Sequence, residues 1–139
     1  MKTLFSFLVS TLIIVQAFSQ TDELRKKHYN VKKNIALEGY DPVSYFYGSP
    51  AEGKSEIKFV NKGITYLFAS LGNLNKFKIH PENYEPAYGG WCAFAMGKTG
   101  EKVKIDPETF KIVDGRLYVF YNFWGNPLPH LTRLHCWPL

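Results

Sequence analysis

Cysteine is scarce: Cys92 and Cys136 are the only two in 139 residues, too few for a disulfide-stapled scaffold. The two are not expected to pair, because Cys136 sits in a proline-rich tail while Cys92 lies in the most patterned stretch of the chain. No apolar run is long enough to span a bilayer comfortably; Leu4 to Val15 comes nearest and is interrupted by small polar residues. Charge of one sign is not in large excess, with 17 Lys+Arg against 12 Asp+Glu and a formal net charge of +5. The only basic cluster, Arg25, Lys26, Lys27, Lys32 and Lys33, precedes the expected folded part, which argues against a nucleic-acid binder. A phosphate-cradling glycine loop, a Gly-x-Ser-x-Gly elbow and a His-Glu-x-x-His helix are all missing, as are internal repeats and low-complexity tracts.

Aromatic residues are abundant. Phe, Tyr and Trp make up 17% of the chain, with 11 Phe and 9 Tyr, so the sequence reads as one small folded domain and not as a disordered tail. Lys2, the apolar run that follows and Ala17-Phe18-Ser19 form a signal-peptide pattern over residues 1–19, with cleavage expected before Gln20 and a periplasmic or secreted destination. No cysteine follows the run, so a bacterial lipoprotein anchor is not expected. Removing Lys2 with the signal leaves 16 basic and 12 acidic side chains. Residues 20–34 read as a polar linker or one short helix, with order beginning near Ile35.

Beyond the linker, the pattern predicts an α+β domain over residues 35–124. Val43-Ser44-Tyr45-Phe46-Tyr47 suits a strand entered through an Asp41-Pro42 turn. Glu56 to Val60 and Ile64 to Ala69 form the arms of a hairpin, with Asn61 and Gly63 available for positive φ angles. Ser70 can cap a helix whose apolar positions are Leu71, Leu74, Phe77 and Ile79, ending before Pro81. Residues 81–90 hold two prolines and adjacent glycines and predict an irregular connection, followed by a short buried helix over Trp91 to Met96. Asp114-Gly115 between Thr109 to Val113 and Arg116 to Tyr121 predicts a second hairpin with a type I′ turn.

Read together, Leu37-Glu38-Gly39-Tyr40-Asp41-Pro42-Val43-Ser44-Tyr45-Phe46, Tyr66-Leu67-Phe68-Ala69-Ser70, Pro81-Glu82-Asn83-Tyr84, Tyr88-Gly89-Gly90-Trp91-Cys92-Ala93, Asp106-Pro107 and Asp114-Gly115-Arg116-Leu117-Tyr118 resemble the exported YHS-domain proteins. The resemblance covers about residues 35–124 and implies a small α+β module of a type associated elsewhere with copper and heavy-metal transport. Metal-associated relatives carry cysteines where this chain has Ser44 and Ala69, and neither a hydroxyl nor a methyl replaces a thiolate toward a soft metal. The chain also departs after Trp124: residues 125–139 contain three prolines and no acidic residue, an atypical tail in which His130, His135 and Cys136 are discounted as evolved ligands.

Inside the matched region, Cys92 and Met96 are the soft pair for a metal, since positions four apart share a helix face and thiolate with thioether suits copper(I). His80, the only histidine in the matched region, is the third candidate ligand. Against this stands plain packing, because cysteine and methionine are often buried and Trp91 and Phe94 flank Cys92 like core residues. Thiol catalysis lacks a Cys-His-Asn spacing, and Asp41, Asp106 and Asp114 are explained as turn formers, so no enzymatic activity is expected. The tyrosines at 40, 45, 66, 84, 88, 118 and 121 mostly serve the core, with a minority free to line a small-molecule pocket near Gly89-Gly90. Two functional readings follow: an exported domain that binds or transfers a soft transition metal, with copper the best-suited ion, and a metal-free exported module for a small-molecule or protein ligand. Neither requires a membrane anchor.

Overall fold

A computed structural model of the chain describes residues 21–122. The expected signal peptide, Trp124 and the atypical tail lie outside the described residues. The fold is α+β, as the pattern predicts.

Residues 21–28 are helical (α1), and strands β1 (Val31–Lys32) and β2 (Ile35–Ala36) follow at once. They join a four-stranded sheet of order β1-β2-β4-β3, in which β3 (Lys54–Asn61) and β4 (Ile64–Phe68) are the predicted first hairpin. Order therefore begins well before Ile35. The polar composition of residues 21–33 hides this, because the segment is held by hydrogen bonds to distant residues and buries no apolar stripe: none of residues 21–30 is buried. β2 runs parallel to β4 through Ile35 opposite Thr65, and β3 pairs antiparallel with β4 across a bulge between Lys54 and Lys58. In the hairpin turn, positive φ falls on Lys62 and Gly63, not on Asn61, which closes β3.

The aromatic run expected as a strand is a 3-10 turn, Ser44–Tyr47. Asp41 decides this locally. Its Oδ1 accepts the Val43 N–H at 2.8 Å, and its carbonyl accepts both the Ser44 N–H and the Ser44 hydroxyl, so the chain curls before it can extend.

Helix α2 (Leu71–Ile79) starts at the expected cap, with Ser70 Oγ accepting the Asn73 N–H at 3.1 Å. It buries Leu74 and Phe77 but leaves Leu71 64% and Ile79 70% exposed, so only half of the predicted apolar set faces inward. The Phe77 ring is the hub of the α2 contact with the sheet, its centroid 4.7 Å from Tyr66, 5.2 Å from Phe68 and 6.3 Å from Phe59. Residues 81–90 form the irregular connection through two 3-10 turns. The next helix, α3, runs Ala93–Lys98, two residues later than the pattern suggests, and β5 (Asp106–Val113) with β6 (Arg116–Phe120) makes the second hairpin. Asp114 and Gly115 take positive φ at its turn, as expected. One buried cluster joins Tyr45, Tyr66, Phe68 and Phe77 to Cys92, Ala93, Ile105, Leu117 and Val119.

Candidate functional site

Cys92 enters the core by way of the chain preceding it. Tyr88, Gly89 and Gly90 all have positive φ, a conformation that suits the glycines and strains Tyr88. The turn is clamped from α1 and its exit: Asn30 N–H donates to Gly89 O at 2.8 Å, Asn30 Nδ2 to Gly90 O at 2.9 Å, and Trp91 Nε1 to His28 O at 2.8 Å. A Cβ on Gly89 would stand 3.1 Å from Tyr29 Cδ2, a tight approach that adds to the preference for glycine there. Cys92 then donates its N–H to Val103 O at 2.9 Å and accepts the Met96 N–H at 3.0 Å, opening α3.

The thiol of Cys92 is 0% exposed, unbridged, and belongs to the hydrophobic cluster. Met96 lies on α3 and is half-buried, whereas Cys92 stands just ahead of the helix as its N-cap, so the two do not share a helical face as the spacing suggests. His80 lies elsewhere, outside the cluster that encloses Cys92. It caps the C-terminus of α2, its side chain is 62% exposed, and Nδ1 sits 3.1 Å from Glu82 Oε1. The Glu82 carboxyl is held below its ordinary range, first by its own backbone N–H and then by His80. Of the three candidate ligands, only Cys92 and Met96 are linked, through the backbone bond from the Met96 N–H to the Cys92 carbonyl. Among the described residues, no group of three or more His, Cys, Asp or Glu is arranged to hold a metal ion. The candidate thiol, Cys92, is thus enclosed by apolar side chains, while the candidate imidazole, His80, faces solvent.

Ser44 and Ala69 both bond to Asp41, Ser44 through the Asp41 carbonyl and the Ala69 N–H through its carboxylate. Asp41 is 0% exposed; its Oδ2 accepts the Ala69 N–H at 2.9 Å and Asn73 Nδ2 at 2.6 Å, while Oδ1 takes Val43. Ser44 Oγ donates to Asp41 O at 2.7 Å and accepts the Ala51 N–H at 2.9 Å. Both carboxylate oxygens and the carbonyl of Asp41 are engaged in joining the 3-10 turn, the residue that follows β4, and α2, which is a structural role. Asp106 is likewise a turn former. Partial burial raises its carboxyl, but hydrogen bonds from Asn122, the Glu108 N–H and Thr109 outweigh that and hold it below the ordinary value.

A second polar cluster was not legible from sequence. Glu85 Oε1 accepts from Arg25 Nη2, from Asn61 Nδ2 at 2.9 Å and from Tyr66 OH at 3.1 Å. Arg25 also donates through Nη1 to Asn61 O at 3.2 Å and through Nη2 to Tyr29 OH at 2.7 Å. Burial pushes the Tyr66 hydroxyl well above the ordinary tyrosine value, and the Glu85 charge adds to this. Sixty residues separate Arg25 from Glu85, and no local pattern links them.

Among the described residues no helix is long and apolar enough to cross a membrane. Comparisons with family models, curated proteins and solved structures return no match for this chain.

Proposed function

We propose that this chain is an exported, non-enzymatic YHS-type module that binds a protein or small-molecule ligand through its surface and holds no resident metal. The observation that carries this reading is the placement of Cys92, a thiol with no exposed surface inside an apolar cluster, while the imidazole of His80 faces solvent beside Glu82. A thiol in that setting contributes packing. The Asp41 knot supports the same reading, since Ser44 and Ala69 serve the fold at the positions where metal-binding relatives carry thiolates.

The test is metal analysis of the chain purified from the periplasm or medium without a histidine tag, beside Cys92→Ala. The expected result is substoichiometric metal in both proteins. Stoichiometric copper that disappears in Cys92→Ala would overturn the metal-free reading and restore the transfer function.

A further inference from the structure

Helix α1 is attached in an unusual way for an element that touches so much of the domain. Its one large apolar side chain, Leu24, is 58% exposed, and none of residues 21–30 is buried. Its hold is polar: Arg25 reaches Glu85, Asn61 and Tyr29, Lys102 Nζ donates to Lys27 O at 3.3 Å, and Trp91 donates to His28 O. Elements held this way open at the low end of the local stability range.

The receiving side, by contrast, belongs to the domain. Tyr66 is fully buried on β4 and aims its hydroxyl at Glu85; the Asn61 amide at the end of β3 donates to the same carboxylate oxygen. These two donors fix the Glu85 carboxylate beside the Asn61 carbonyl, and the pair of acceptors takes both terminal nitrogens of one guanidinium. That fork geometry selects arginine over lysine, whose ammonium is a single compact charge.

We propose that Glu85, Tyr66 and Asn61 form a guanidinium seat for an arginine-bearing segment of a partner protein, and that Arg25 occupies it in cis as a releasable latch. The proposal rests on the interaction-module reading and adds the kind of ligand recognised. Lifting residues 21–28 releases no large apolar side chain except Leu24, already 58% exposed, and frees the seat.

Two measurements on the full chain test it. First, hydrogen exchange of residues 21–28 in the wild-type protein is followed while N-acetyl-arginine amide is added at constant ionic strength, with N-acetyl-lysine amide as control. Exchange is expected to accelerate several-fold with the arginine compound alone; equal exchange with both compounds overturns the latch. Second, a fluorescent peptide of residues 20–31 is titrated onto wild type, Arg25→Gln and Arg25→Gln/Glu85→Gln. At least tenfold tighter binding to Arg25→Gln than to the other two is expected, and equal binding to all three, or none, contradicts the seat. Should Arg25→Gln not fold, the exchange experiment on wild type decides alone. Failure of both with a metal-free Cys92 removes the seat and leaves the module reading standing, whereas copper at Cys92 removes that reading whatever α1 does.

Discussion

At the scale of single residues, two buried groups do most to define the molecule, and both are used for packing or joining. Cys92 fills space in the core. Asp41 ties three segments together through its two oxygens and its carbonyl. Removing the Asp41 carboxylate leaves the Val43 and Ala69 N–H groups and the Asn73 amide without their partner. Asp41→Ala is expected to lose about 2–4 kcal/mol, since each buried donor left unsatisfied costs roughly 1–3 kcal/mol and part of this site is open to water. Urea unfolding of the variant beside the parent measures it, and a loss under about 0.5 kcal/mol would mean that the knot does not hold the fold. The sequence marks Asp41 as a turn former through its Pro42 neighbour, but its long-range bonds to Ala69 and Asn73 depend on tertiary placement that no local pattern encodes.

At the scale of elements, legibility follows how local the determining forces are. Both hairpins and α2 are readable because period-two alternation, Gly at the turns and the Ser70 cap act within a few residues. The Ser44–Tyr47 turn misleads because its aromatic composition favours extension while the Asp41 side chain competes for the backbone. α1 is the short helix offered as one reading of a polar segment, and its attachment is hidden from sequence because Arg25, Lys27 and His28 bond to residues far along the chain. For the candidate site, Cys92 lies just ahead of the helix that carries Met96 and not on a shared helical face, and only tertiary structure reveals that His80 faces solvent and that Glu85 collects three donors. A sharper element-level expectation concerns the bulged start of β3. A Cβ on Gly53 would lie 2.4 Å from Leu67 Cβ and 2.5 Å from its backbone carbon, too close for any side chain and with rigid backbone on the other side. Gly53→Ala is expected to cost about 1–3 kcal/mol by forcing β3 off β4, lowering the thermal midpoint by several degrees. An unchanged midpoint would show that the strands do not approach this closely.

At the scale of the whole molecule, a dense aromatic core makes stability sensitive to alkali. Burial, aided by neighbouring acidic charge, raises the Tyr45 and Tyr66 hydroxyls far above the ordinary value of 10.0. Both are therefore neutral in the folded chain, while in the unfolded chain they ionise near pH 10. The stabilisation is complete below pH 10 and declines as pH rises above it. Ultraviolet titration is expected to show these two phenols ionising only together with unfolding, and Tyr66→Phe, which also removes the bond to Glu85, is expected to flatten the alkaline limb. Ionisation of all tyrosines near pH 10 with the fold intact would place those rings at the surface.

The reading of the molecule as a metal-free module depends most directly on whether the Cys92 sulfur is sealed. The deciding measurement is the rate at which an aromatic disulfide labels Cys92 in Cys136→Ser protein stripped of metal by a copper(I) chelator, followed across a urea titration. Labelling is expected to be negligible under native conditions and to rise with the global unfolding transition. Full labelling within seconds in native buffer would contradict the account, because it would leave the thiol free to meet a metal or a substrate.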